Sequence, residues 1–305
     1  MKLRMWSLVC ALVLLVGVSG TSTAQISRGT ELAGIIDVHQ HVGPPTAQSI
    51  TRSLDAIEAA RIAERHGFRA IVLKQHYMET ASWAYLVSRM VPGIQIFGGV
   101  ALNRSVGGLN PVAVENVATF PGGVGRVVYM PTFESEHYNP GSPVAVPIAK
   151  NGQLLPAVYE VFDVMAKYDM GLSTGHSSPA ESLMLIRAAK ERGVNRIYVQ
   201  HPLLRRVGMS IEMQREAAGM GALLEYVLGE AVGSQEEFEH WAHGIREVGP
   251  ENVLISSDLG QRGRAIHADG YRIVLPRLRK AGFSEAELDI MTKRNPARFL
   301  GLEPW

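Results

Sequence analysis

Eight short apolar runs recur along the chain, and longer segments with helical periodicity lie between them. The runs are apolar almost throughout, which is typical of strands covered on both faces, as parallel strands are. Eight such strands alternating with helices in a chain of 305 residues predict an α/β protein with a (β/α)8 TIM barrel. An open, doubly wound sheet is the alternative. The runs begin at Ile35, Arg69, Ile94, Arg126, Met170, Arg196, Ala222 and Val253.

Three of the intervening helices have recognisable start signals. In each of them a serine is followed three residues later by a glutamate, which is the pattern of a capping box. The pairs are Ser178 with Glu181, Ser234 with Glu237, and Ser284 with Glu287. No linker rich in Gly, Pro or Ser divides the chain, so residues 25–305 are predicted to form a single barrel domain.

The N-terminal segment has the character of an export signal. Lys2 and Arg4 precede an apolar run over residues 6–18, and small residues suited to cleavage follow at 22–24. We interpret residues 1–24 as a signal peptide, because the run is shorter than the roughly 20 residues that cross a bilayer. An uncleaved membrane anchor is the alternative. The prediction is a periplasmic or secreted protein.

Cleavage after residue 24 would have two chemical consequences. It would remove Cys10, the single cysteine of the chain, so the exported protein would contain no disulfide. It would also change the formal net charge from +1 to −1. The sequence contains no basic stripe and no second apolar span, so neither nucleic acid nor membrane is an expected partner. A small-molecule substrate is expected, and homo-oligomerisation stays open.

Polar side chains concentrate where the predicted strands end. In barrels of this type functional groups gather at the C-terminal ends of the strands. The first strand ends with Asp37, His39 and His41 at alternate positions, which predicts that all three share one face. The second ends with Lys74 and His76, again two residues apart.

Three further strand ends carry groups of the same kind. The fifth ends with His176, the sixth with His201 and the eighth with Asp258. A single buried histidine is more often a hydrogen-bonded core residue, but histidines at several strand ends together with an acid favour a metal site. Imidazole and carboxylate suit Zn²⁺, Mn²⁺ or Fe²⁺. A metal acidifies water, and Asp258, beside the first strand in a closed barrel, is placed to take the proton.

These motifs together resemble those of the amidohydrolase superfamily of metal-dependent hydrolases. The matching segments are DVHQH from Asp37, GH at His176, QHP at His201, SSDLG around Asp258, and NPARFLGL from Asn295, where Asn295 is expected to cap a short helix. The resemblance implies His39, His41 and His176 as metal ligands. It also implies His201 as a ligand or substrate-polarising group, and Asp258 as a ligand and general base.

One feature departs from many two-metal members of that superfamily, which carry a carboxylated lysine on the fourth strand. Here that strand ends VVYMPTFESEHY without a lysine, and Glu134 and His137 are the nearest substitutes. Lys74 could instead be carboxylated and bridge two metals, hold a substrate carboxylate as a cation, or simply pair with a neighbouring acid. One or two ions, with zinc expected first, therefore remain open.

The remaining candidates concern the substrate. His76 shares the ligand end of the barrel, and the loop after the eighth strand carries Arg262, Arg264 and His267 on the predicted functional face. Its arginines could bind an anionic group, and a solvated loop is the alternative. The predicted function is metal-dependent hydrolysis of a C–N or C–O bond in an amide, cyclic amide or lactone. A decarboxylase on the same site and a non-catalytic binding module are the alternatives.

Overall fold

The computed structural model describes residues 32–47 and 50–303. Within these ranges eight parallel strands form one sheet, and their spatial order is their order in the chain. Each predicted run coincides with one of them, the fourth strand beginning one residue before its run, so the prediction of a (β/α)8 barrel is confirmed. The predicted signal peptide lies outside the described residues. The strands are β1 (Ile36–His41), β2 (Ala70–Lys74), β3 (Gln95–Ala101), β4 (Gly125–Tyr129), β5 (Gly171–Ser173), β6 (Ile197–Val199), β7 (Leu223–Val227) and β8 (Val253–Ser256).

The last strand returns to the first and closes the barrel. The backbone N–H of Asp258 donates to the carbonyl of His39 at 3.0 Å, and that of His41 donates to the carbonyl of Leu259 at 3.0 Å. Gln40 and Leu259 form a parallel bridge. Residues that follow β8 are therefore held directly beside the end of β1.

Helices occupy the connections between strands. A short hairpin, in which residues 149–150 pair with 153–154, directly precedes the helix Pro156–Lys167. The three predicted capping boxes are all formed. Among the described residues, no helix has the length and apolar character to cross a membrane. The helices are α1 (Ala56–Arg65), α2 (Ala81–Met90), α3 (Pro111–Ala118), α4 (Pro156–Lys167), α5 (Pro179–Glu191), α6 (Ile211–Gly219), α7 (Leu228–Ala231), α8 (Gln235–Val248), α9 (His267–Lys280), α10 (Glu285–Asp289) and α11 (Asn295–Leu300).

The C-terminal helix α11 closes the end of the barrel opposite the predicted site. Phe299 and Leu300 join the apolar cluster inside the barrel, and burying each side chain contributes about 1.5–3 kcal/mol. Gly171, the first residue of β5, makes room for this plug, because a Cβ there would lie 2.6 Å from the Phe299 ring.

Asn295 does not cap helix α11, and that prediction is wrong. The preceding residues 290–294 are already helical, in a π-turn continuous with α11, so there is no open helix start that needs a cap. Instead the Asn295 Nδ2 donates to the carbonyls of Glu251 at 3.0 Å and Val253 at 2.7 Å. The side chain ties the C-terminal helix to the start of β8.

Candidate metal centre

The first strand does not keep strict alternation of its faces. Asp37 is in register with Ile71 and His41 with Lys74, so β1 uses one residue more than β2 over this stretch and contains a bulge. Asp37 therefore shares its face with Ile71, whose side chain packs in the apolar layer beneath the helices. Its Oδ1 accepts two backbone N–H groups at 3.2 and 2.9 Å. The expectation that Asp37 shares one face with both histidines is wrong.

His39 and His41 converge on Asp258, which follows β8. Oδ1 of Asp258 lies 3.1 Å from Nε2 of His39 and 2.9 Å from Nε2 of His41, and the two Nε2 atoms are 3.3 Å apart. Zinc with ligand bonds of about 2.0–2.1 Å has tetrahedral edges of about 3.3 Å, so these spacings suit one ion. His201 Nε2 is 3.9 Å from Oδ2 of Asp258. Donor atoms of His39, His201 and Asp258 lie within 4.8 Å of one another.

Left-handed backbone turns place several of these side chains. His201 and Asp258 both have φ of 48°, a conformation uncommon for residues other than glycine and costing about 1–2 kcal/mol. His176 follows Gly175, which has φ of 64° and where a Cβ would lie 2.4 Å from a carbonyl oxygen. Strained residues of this kind cluster at functional sites, and here all three turns lead into the mouth of the barrel.

Sequence reasoning missed Glu225, a fully buried residue in the middle of β7. Its Oε1 accepts from Nδ1 of His39 at 2.8 Å and from the hydroxyl of Ser256 at 2.7 Å. A carboxylate can only accept, so Nδ1 of His39 carries a proton, and in the neutral ring Nε2 keeps its lone pair for the cluster. Carboxylates commonly orient metal-binding histidines in this way. A lone charged residue inside the apolar run LLEYV was the available signal.

Burial keeps most of the imidazoles neutral. It lowers the pKa of His41, His76 and His176 well below the usual value, and it lowers the pKa of His201 to about 4. A neutral imidazole has a free lone pair, which is the form that binds metal ions. The electrostatics of the site therefore match the chemistry expected of its residue types.

The two acids of the cluster are held ionised. Burial by itself would raise the pKa of Asp258, but the charges of His39 and His201 and the hydrogen bonds from His39 and His41 together outweigh it and keep that pKa well below its usual range. In the same way burial opposes ionisation of Glu225, and His39 and His201 are among the groups that lower its pKa. Burial and Lys74 lower the pKa of His39, while both acids raise it, and the net direction is upward.

Lys74 lies inside the donor cluster. Its Nζ is 2.7 Å from Nε2 of His39 and 4.6 Å from the centre of the Tyr129 ring, and burial lowers its pKa to about 8. This position favours a role beside the donors over direct contact with a substrate. Glu134 and His137, the alternatives from the fourth strand, instead bind backbone groups of other loops at 2.7 and 2.6 Å.

A cavity of about 270 Å³ opens above the cluster. His41, His176, His201 and Asp258 line it, together with the three predicted substrate-binding residues His76, Arg262 and Arg264. The last two are exposed at its rim. His267 faces elsewhere: it begins α9 and is buried against Phe68 at a ring distance of 5.6 Å. Its predicted place on the functional face is wrong, because the chain turns into a helix there.

Two further residues of this cavity were missed by sequence reasoning. Glu230 of α7 has both carboxyl oxygens buried without a hydrogen-bond partner among the described residues, and burial raises its pKa to about 8. Arg52, in the loop after β1, is 8% exposed and also lines the cavity. Arg52 lies eleven residues beyond the end of β1, so the rule that found the histidines could not find it. Glu230 follows the end of β7 by three residues, as His176 follows β5, and the strand-end rule could have found it.

Comparison with solved structures shows which known barrels this fold is similar to. The chain is similar to an amidohydrolase from Pseudomonas aeruginosa (TM-score 0.64, 12% identity, 90% of this chain and 98% of that one). It is also similar to an organophosphorus hydrolase from Deinococcus radiodurans (0.57, 16%, 90% and 94%) and to a putative 2-pyrone-4,6-dicarboxylic acid hydrolase from Pseudomonas putida (0.58, 15%, 89% and 99%). At such identities the likeness concerns the fold, and the predicted resemblance to the amidohydrolase superfamily is confirmed at that level.

Sequence comparison then places the chain more narrowly. Residues 34–225 match DUF6282, a family of unknown function, and the chain belongs to that family. No curated protein matches it significantly.

Proposed function

We propose that the protein is a metal-dependent hydrolase that cleaves a C–N or C–O bond in an amide, a cyclic amide or a lactone. The observation that carries this proposal is the convergence of His39, His41 and Asp258 at 2.9–3.3 Å beneath a cavity. The similar solved structures are described as hydrolases, which supports the same reading.

The donor set fits a divalent cation. With His39 and His41 neutral, their Nε2 atoms and the ionised Asp258 are electron-rich groups crowded together, and a cation stabilises such a set. Lys74 Nζ, 2.7 Å from Nε2 of His39, already supplies one positive charge there. His39, His41 and Asp258 would hold the ion, with His201 or His176 completing its ligands. Zinc is expected first because nitrogen donors dominate, with manganese or iron as alternatives. The number of ions depends on Lys74, because only a carboxylated lysine would bridge two of them. Such an ion lowers the pKa of coordinated water toward neutrality and polarises a carbonyl group.

The chain's own groups supply the proton transfer. Asp258 is ionised, and its side chain is 22% exposed while that of His39 is completely buried, so Asp258 is the member of the pair that faces the cavity. It accepts a proton from the attacking water and returns it to the leaving group. Where His176 completes the ligands, His201, neutral and 3.9 Å from Asp258, donates a hydrogen bond to the substrate carbonyl oxygen.

The test combines metal analysis with kinetics. Purified protein is assayed for bound metal and then against a panel of amides, cyclic amides and lactones before and after chelation. Asp258→Asn should lower kcat by about 10²–10⁴, since that is the usual contribution of a general base. Asp163→Asn, which changes only a surface ion pair with Arg192, is the matched control.

Particular outcomes would refute the proposal. Protein that binds no divalent metal, or an Asp258→Asn variant within about threefold of wild type on a confirmed substrate, would contradict it. Carbon dioxide released without a hydrolysis product would assign the site to a decarboxylase. The N-terminal sequence supports the further proposal that the enzyme acts on a small molecule after export, which cell fractionation tests.

A further inference from the structure

Arg52 presents an unused pair of hydrogen-bond donors. Its Nε and Nη2 atoms are buried and have no hydrogen-bond partner within residues 32–47 and 50–303. These two atoms form one edge of the guanidinium group, the edge that matches both oxygens of a carboxylate. The side chain is only 8% exposed and lines the cavity above the metal-ligand candidates.

The backbone holds this arginine firmly in place. Arg52 forms an antiparallel bridge with Gln261, in the loop that follows β8. On either side of it, the carbonyl of Thr51 accepts from Arg262 at 2.8 Å, and Ser53 donates to the carbonyl of Gly260 at 2.8 Å. The loops after the first and last strands are thus joined at this residue. The backbone that carries the side chain of Arg52 therefore needs no rearrangement when a ligand binds, which limits the entropy cost of binding.

The charge of the cavity also favours an anion. Its described lining contains three arginines at 52, 262 and 264 but only two acids, Glu230 and Asp258. Asp258 already lies against two histidines, and among the described residues no carboxylate oxygen is within 4 Å of an Arg52 nitrogen. The charge of Asp258 acts on Arg52 from beyond that distance, but a buried guanidinium edge without a hydrogen-bond partner is still costly. A ligand anion would supply what the chain does not.

We infer that Arg52 binds a carboxylate of the substrate through its Nε and Nη2 edge, so that the scissile group of an acidic substrate is held above His39, His41 and Asp258. Arg262 and Arg264, at the exposed rim, attract the same anion on entry. This inference rests on the proposed function, because it names the substrate class of that site.

Calorimetric binding of benzoate and of its neutral analogue benzamide tests the inference. Both are titrated into full-length protein, first loaded with zinc and then after chelation, so that coordination of benzoate by the metal is separated from binding at Arg52. Arg52→Gln should weaken benzoate binding about 10- to 100-fold in both forms and leave benzamide unchanged. Arg52→Lys keeps the charge but lacks the two-donor edge, and should recover only part of the affinity. Arg61→Gln, on the exposed face of α1, is the control.

The outcomes separate this inference from the proposed function. Circular dichroism and zinc content are measured on every variant, and Arg52→Lys serves if Arg52→Gln does not fold. Normal zinc binding with equal benzoate affinity in wild type and Arg52→Gln would overturn the inference alone. Arg52-dependent benzoate binding in a protein that takes up no metal would support the anion site and refute the hydrolase. Phenylphosphonate binding that depends on Arg52, without such dependence for benzoate, would overturn the carboxylate class.

Discussion

Replacing Glu225 by glutamine tests whether the buried carboxylate behind His39 supports a metal centre. Glutamine keeps the volume and one acceptor oxygen, so little cavity energy is lost at this fully buried position. What disappears is the negative charge that accepts from Nδ1 of His39 at 2.8 Å. A hydrogen bond to a charged group contributes about 1.5–3 kcal/mol and one between neutral groups about 0.5–1.5 kcal/mol.

The difference of about 1–2 kcal/mol corresponds to zinc affinity lowered about 5- to 30-fold in Glu225→Gln. Competition with a chromophoric chelator measures the affinity, elemental analysis gives the stoichiometry, and thermal melting verifies the fold. Glu216→Gln is the matched control, because Glu216 pairs with Arg187 at the surface, where such pairs contribute little. A folded Glu225→Gln variant with zinc affinity within twofold of wild type would show that Glu225 does not support a metal-binding His39.

Three other predictions follow from the same structure. His39→Ala and His41→Ala should each lose bound metal with unchanged circular dichroism, and full metal content in either would exclude that residue as a ligand. Lys74→Ala and Lys74→Arg should both lose metal if a carboxylated lysine bridges two ions, whereas unchanged metal content in both would exclude bridging. Burial lowers the pKa of His267 to about 3 from 6.5, so the unfolded chain takes up a proton that the folded chain refuses, and this residue costs stability as pH falls below about 6.5. His267→Leu should therefore lose less melting temperature than wild type between pH 7 and pH 5, and an equal loss would contradict the reasoning.

Local sequence patterns determined the elements of the fold. Continuous apolar runs predicted every barrel strand, and serine–glutamate spacing predicted three helix starts, because burial on both faces and capping act within a few neighbouring residues. The rule that function gathers at strand ends then singled out His39, His41, His176, His201 and Asp258. The structure brings these residues to one end of the barrel, around a single cavity and its floor.

Only the tertiary structure decided how the site is finished. The bulge in β1 turns Asp37 away from the histidines, and the chain folds His267 into the core although it closely follows the arginines of the rim. Glu225 contacts His39 across 186 residues of sequence, and Arg52 is fixed by a bridge to Gln261. Register and loop direction depend on such contacts between distant segments. Local periodicity does not encode them: the sequence could show Glu225 as an isolated charge in an apolar run, but only the closed barrel shows that it contacts His39 and that Arg52 lines the cavity.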